Sequence, residues 1–132
     1  MDDGGESSRL DGLDFELLAA SLRADTSDMQ MWITMLGRKL EGALPQRVRL
    51  YRSGVFSSGA VKSIEVELGA WRLALRLEHG YPLAERTHVV RGIALKTEQL
   101  TLDSWIASLC QGLFDLAATS AREHAAIESL LK

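Results

Sequence analysis

Cysteine and proline are scarce in this chain of 132 residues, which holds one cysteine and two prolines. The single cysteine, Cys110, excludes an internal disulfide and a cysteine-rich metal site. No apolar run approaches the roughly 20 residues that span a bilayer. The first 12 residues lack the positive start and apolar middle of a secretory signal. We therefore expect a cytoplasmic protein that makes no contact with a membrane.

Catalytic and metal-binding motifs are missing as well. The segment 54–63 superficially resembles a phosphate-binding loop, but its Lys-Ser pair comes too late and a strand follows where a helix should begin. Cys110 is expected in the middle of a helix among Leu109, Leu113 and Phe114, and no Gly-x-Ser-x-Gly motif is present. The histidines share no metal-ligand spacing; they are His79, His88 and His124. We expect no enzyme activity, no cofactor and no metal.

Charge is distributed unevenly along the chain. The net charge is −5 over residues 1–44, +5 over 45–96 and −3 over 97–132. Glutamates interleave with the arginines of the basic middle, so cross-strand ion pairs explain most of them. A protein partner and a nucleic acid remain alternatives, although the pI of about 5.6 speaks against a nucleic acid. The candidate anion-binding residues are Arg47, Arg49, Arg72, Arg76 and Arg91.

The N-terminal third is expected to be helical after an acidic tail over residues 1–12, and one domain is expected over 13–132. Apolar residues at helical spacing predict a short helix after Asp14 and a second helix over Asp28–Leu44, which Pro45 ends. Cap residues between them favour a break at Asp25–Asp28. A single helix is the alternative, because a heptad of apolar positions runs through both.

From Arg47 the apolar period changes to two, which is typical of strands. The clearest hairpin has Gly69-Ala70 as a type II′ turn, with Leu68 opposite Trp71 and Glu67 opposite Arg72. A fourth strand is predicted over about Thr87–Leu95, with a bulge at Gly92. The sequence thus predicts a four-stranded, mainly antiparallel sheet.

The last segment, Thr101–Leu131, reads as one long helix with an unusually wide apolar face. Such a helix would measure about 46 Å, whereas a compact chain of this length is roughly 36 Å across. Either the N-terminal helices fill that face within one chain, or a second subunit covers it. The second interpretation predicts a homodimer; its candidate interface residues are Phe114, Ala117, Ala121, Ala125, Ile127 and Leu131.

Several stretches resemble a group of small bacterial proteins of unknown function; they are Phe15–Asp25, Leu40–Leu50, His88–Ile93 and Leu100–Ser108. This resemblance implies no activity. The helix–sheet–helix order is also similar in outline to type III secretion chaperones, although this chain has no predicted helix between its strands.

The predicted fold is therefore α+β. An N-terminal helix or helix pair leads into the sheet, and a long C-terminal helix packs on one sheet face. The predicted function is a non-catalytic, homo-oligomeric protein-interaction module, such as an adaptor or a chaperone-like protein. The alternative is an anion or nucleic-acid binder that uses the basic face of the sheet.

Overall fold

The computed structural model describes residues 12–24, 28–52 and 60–131. Four helices and five strands follow one another along these residues. Their bounds are α1 Gly12–Ala24, α2 Met29–Ala43, β1 Val48–Arg52, β2 Val61–Leu68, β3 Trp71–Glu78, β4 Tyr81–Val90, β5 Ile93–Leu100, α3 Leu102–Thr119 and α4 Ala121–Leu130. The predicted acidic tail lies outside the described residues, apart from Gly12, which begins α1.

The N-terminal third forms two helices, as the cap residues favoured. Asp28 caps α2, because its side chain accepts a hydrogen bond from the backbone N–H of Met31. The indole N–H of Trp32 donates to the carbonyl oxygen of Leu22 at 2.9 Å. This bond fastens α2 to α1, and the predicted break itself falls largely on residues 25–27, outside the described part of the chain.

The sheet is an antiparallel meander with the strand order β1-β2-β3-β4-β5. The hairpin of β2 and β3 has the predicted register, with Leu68 opposite Trp71 and Glu67 opposite Arg72. In its turn Gly69 has a φ of 63°, while Ala70 does not share a positive φ. A positive φ at the first position alone is the type II′ pattern that the sequence predicted.

The prediction of four strands was wrong, because the segment taken as one bulged strand is the middle of a second hairpin. Arg91 and Gly92 both have positive φ values, 53° and 79°. Positive φ at both central positions makes a two-residue turn of type I′, which reverses the chain. Tyr81–Val90 and Ile93–Leu100 therefore become two separate strands.

The prediction of one long C-terminal helix was also wrong. Helix α3 ends at Thr119, and Ser120 has extended backbone angles, with φ −139° and ψ 111°. The Ser120 hydroxyl accepts a hydrogen bond from the N–H of Glu123, so this residue caps α4. Helix α4 packs against α2 and α3, where Ile127 is fully buried.

The helices cover one face of the sheet. Helix α2 lies on β1 and β2, α3 reaches across β2 to β5, and α1 packs on α3. Gly112 allows α3 to lie close to the sheet, since a Cβ there would be 2.8 Å from Cδ1 of Leu68. The core between these layers is apolar; its buried side chains include Trp32, Leu36, Val66, Leu73, Leu75, Trp105, Ile106, Leu109 and Leu113.

Candidate interaction surface on the outer hairpin

Strands β4 and β5 form a hairpin over Tyr81–Leu100, here called the outer hairpin, that the helix layer covers only in part. In β5 only Glu98 and Leu100 are partly buried, and the other residues of the strand are exposed. Within the described residues β5 pairs with β4 alone, so its other edge is free. A free edge presents backbone N–H and C=O groups that another strand can bind.

The tip of the outer hairpin is apolar. Val90, Ile93 and Leu95 are 41%, 63% and 59% exposed. Val90 and Ile93 face each other across the turn. His88 pairs with Lys96 and Val89 pairs with Ala94, so Leu95 has no partner residue on β4. This unmatched residue is a β-bulge, which locally increases the twist of the strand. Water therefore contacts several large aliphatic side chains at one end of the sheet.

The alternation of the sheet fixes which groups of β5 point toward the free edge. Val89 donates its N–H to the carbonyl oxygen of Ala70, so the odd-numbered residues of β4 bond to β3 and the even-numbered ones to β5. Thr87 lies opposite Thr97. Because Thr87 uses its backbone groups on β3, the backbone N–H and C=O of Thr97 face outward. The same reasoning holds for Gln99.

Arg86, on β4, links the outer hairpin to β3 and connects its two strands through side-chain contacts. Its guanidinium lies 4.4 Å from the ring centroid of Trp71, a cation–π arrangement. It donates from Nη2 to Oε2 of Glu98 at 2.8 Å. This hydrogen bond and the positive charge of Arg86 lower the pKa of the Glu98 carboxyl, and Lys96 contributes further. Glu98 therefore stays ionised and fixed in position beside the free edge.

A groove of about 320 Å³ lies between α3 and the sheet, and Arg86 is the residue of the outer hairpin that lines it. Trp71, Leu73 and Arg86 line its sheet side, while Gln111 and Asp115 lie on the helix side. The amide of Gln111 donates to the Asp115 carboxylate at 3.0 Å, so the polar groups of the helix side pair with each other. The groove thus meets the outer hairpin at Arg86, away from the apolar tip.

Two of the residue types considered in the sequence, metal ligands and the cysteine, can be located in the described part of the chain. It holds no group of three His, Cys, Asp or Glu side chains placed to bind a metal ion. Burial raises the pKa of the Cys110 thiol to about 11, so the thiol is protonated at neutral pH. A protonated thiol is a poor nucleophile.

The interface residues predicted on the C-terminal helix do not form one surface. Ala117 and Ile127 are buried within the chain. Phe114 is half-buried and meets Phe15 edge to face, with ring centroids 5.4 Å apart. Ala121 and Ala125 are exposed, and Leu131 is half-buried. The chain thus fills most of the wide apolar face by itself, which was the first of the two interpretations.

The predicted anion-binding arginines also lie in different parts of the structure. Arg47 bonds to Glu123 on α4, and Arg91 lies in the turn of the outer hairpin. Arg49, Arg72 and Arg76 lie on strand positions that face away from the helices. Two of these three are near carboxylates: Arg72 is 3.9 Å from Glu67, and Arg76 is 3.4 Å from Glu78 and 3.5 Å from Glu85. Cross-strand pairing therefore accounts for most of the basic face.

Sequence reasoning missed the exposed tip because it took about Thr87–Leu95 as a single strand with a bulge at Gly92. A signal was present in the dipeptide Arg91-Gly92, since a two-residue loop with glycine second is typical of type I′ hairpins. With that turn, alternating residues continue to Leu100 as a second strand.

Comparison of the chain with models of protein families, with curated proteins and with solved structures finds no match. In the ranges that the structure covers, none of the helices combines the length and the apolar character that a bilayer crossing requires.

Proposed function

We propose that this chain is a non-catalytic protein-interaction module, adaptor-like or chaperone-like, and that it binds its partner through the outer hairpin. One observation carries the proposal: the hairpin presents three large aliphatic side chains to water beside an unpaired strand edge. Exposed apolar groups that cluster in this way mark interaction sites on soluble proteins.

The free edge and the apolar tip support the same mode of binding. A strand from a partner can add to β5, so that main-chain hydrogen bonds supply affinity and the flanking side chains supply specificity. Val90 and Ile93 then provide the apolar contact, while Lys96 and Glu98 provide a charge pattern that selects the partner. The proposed binding surface is thus on the sheet, whereas the sequence predicted an interface on the C-terminal helix.

Site-specific photo-crosslinking tests the proposal. A benzophenone amino acid replaces Ile93 in cells that produce the protein, and the same group replaces Leu17 on α1 as a matched control. The two residues are similarly exposed, at 63% and 61%. We expect a protein adduct of defined mass from position 93 and none from position 17. The adduct partner is identified by mass spectrometry, and either a second copy or another protein supports the module.

The variant Leu95→Lys provides a second test of the proposed function. A charge on this exposed position should leave the free energy of unfolding within about 0.5 kcal/mol of the wild type. The adduct from position 93 should nevertheless disappear, because the charge would have to be desolvated in the bound state. Equal adduct formation from positions 93 and 17, or no effect of Leu95→Lys, would contradict the proposed function.

A further inference from the structure

We propose, building on the interaction module above, that the partner of the free edge is a second copy of this chain. The two β5 strands pair antiparallel across a two-fold axis that passes through Thr97. The two sheets then become one continuous sheet with both helix layers on the same face. Closed two-fold association is the commonest form of self-assembly in soluble proteins.

The charges of β5 are self-complementary in this register. Across an axis at Thr97, Lys96 of each copy lies opposite Glu98 of the other. An axis at Lys96 would instead place two lysines opposite each other, and an axis at Glu98 would oppose two glutamates. Directly opposed like charges destabilise a strand pair, whereas opposite charges stabilise it. Because Arg86 already holds Glu98 in position, little side-chain freedom remains to be lost when the pair forms.

The outward-facing backbone groups of β5 are also compatible with an axis at Thr97. The N–H and C=O of Thr97 face the free edge, so two copies of this residue can exchange both hydrogen bonds across the axis. The next outward residue, Gln99, then lies opposite the bulge that Leu95 forms in the other copy. The hydroxyl groups of Thr97 and Thr87 are 2.8 Å apart on the sheet face away from the helices, where they do not obstruct a neighbouring strand.

Pairing about Thr97 also explains why the apolar side chains at the tip of the outer hairpin are exposed in a single chain. Because the bulge at Leu95 shifts the alternation of β5 by one residue, antiparallel pairing about Thr97 places Ile93 of one copy opposite Leu100 of the other, on the helix-side face of both strands and next to the start of α3. Val90 shares the helix-side face of β4 with His88 and Arg86, as the alternation of the strand requires. The tip of each outer hairpin thus lies against the helix layer of the second copy, at the half-buried Leu102. Val90 and Ile93 are exposed in one chain and covered in two.

Charge reversal combined with sedimentation tests the partner. The wild type should be a dimer at micromolar concentration. Lys96→Glu and Glu98→Lys should each raise the dissociation constant of the dimer roughly tenfold to a hundredfold. In each variant dimer, two pairs of like charges lie opposite each other across the interface. An equimolar mixture of the two variants should recover a dimer, since every opposed pair in the mixed species has opposite charges. A monomeric wild type, or variants that self-associate like the wild type, would overturn the proposal.

Disulfide trapping tests the register. In Thr97→Cys the two cysteines lie in a directly opposed pair, with Cα atoms about 5.5 Å apart, which a disulfide can bridge. In the matched control Gln99→Cys the same atoms are roughly 14 Å apart. The buried Cys110 is present in both variants. We expect oxidised dimers from Thr97→Cys only; equal yields from both would refute an axis at Thr97.

The two proposals can fail separately. If position 93 crosslinks to a different protein while the wild type sediments as a monomer, the dimer is refuted and the interaction module stands. If position 93 gives no adduct at all, both are refuted.

Discussion

At the scale of single residues, the contact between Arg47 and Glu123 joins the start of the sheet to the last helix. The guanidinium binds the carboxylate with two hydrogen bonds, of which the bond from Nη2 to Oε1 measures 3.0 Å. The hydrogen bonds and charge of Arg47 lower the pKa of the Glu123 carboxyl. Such bidentate pairs fix geometry as well as contributing energy.

We predict that Glu123→Gln lowers the free energy of unfolding by about 0.5–1 kcal/mol at neutral pH, a value limited by partial exposure to solvent. Because the pKa of Glu123 is lowered by folding, its contribution is present above its ordinary unfolded pKa. That contribution is lost as pH falls through the folded pKa. The two proteins should therefore converge below about pH 4. Urea unfolding over a pH series measures this.

Glu128→Gln is the matched control for that series. Glu128 lies on the same helix and is partly buried, and none of the ion pairs among the described residues involves it. We expect a change of less than about 0.5 kcal/mol at any pH. A pH-independent difference between wild type and Glu123→Gln would show that the ion pair is not the source of the effect.

At the scale of elements, Ser120 decides the shape of the C-terminal region. It ends α3, because its backbone is extended, and it begins α4, because its hydroxyl caps that helix. At 18 residues α3 is about 27 Å long, which fits across the sheet. The break lets α4 place Ile127 in the core. A continuous helix would leave that side chain outside, at a cost of about 2 kcal/mol or more.

We predict that Ser120→Ala destabilises the protein by about 1 kcal/mol, because the first turn of α4 loses its cap. Ser120→Asn keeps a side-chain acceptor and should remain close to the wild type. Thermal or urea unfolding compares the three, and far-ultraviolet circular dichroism reports the helix content. An Ser120→Ala protein that is as stable as the wild type and more helical would mean that α3 and α4 can fuse.

At the scale of the whole molecule, the helix layer covers a smaller area than the sheet. Helix α3 reaches β4 and touches β5, but most of β5 and the turn that joins it to β4 extend past the helix layer. The sheet therefore ends in an uncovered hairpin with a free edge. Soluble proteins usually protect such edges, and in the proposed dimer a second copy supplies the protection.

The dimer predicts a stability that depends on concentration. Binding of folded chains to each other stabilises the folded state by mass action, so the Tm of the wild type should rise with chain concentration. Thr97→Pro removes the outward N–H together with the hydroxyl that contacts Thr87, and an edge strand tolerates a proline at such a position. Its Tm should be independent of concentration. Calorimetry over a range of concentrations measures both, and parallel slopes would contradict dimerisation through this edge.

Local patterns in the sequence determined much of this protein. Cap residues placed the break before α2 and the start of α3 at Thr101, and the alternation around Gly69 determined the register of β2 and β3. Those features depend on neighbours in the chain, so short-range chemistry suffices to predict them.

Only the tertiary structure decided the rest. A stripe of apolar residues running through Ser120 and His124 looks the same in one helix as in two. What separates them is the space beneath α2 and α3 that receives Ile127. Equally, Ile93 and Leu95 carry the residue types of buried strand positions, and the position of α3 leaves them exposed. Burial depends on which distant elements reach a side chain, and a pattern of neighbours does not contain that information.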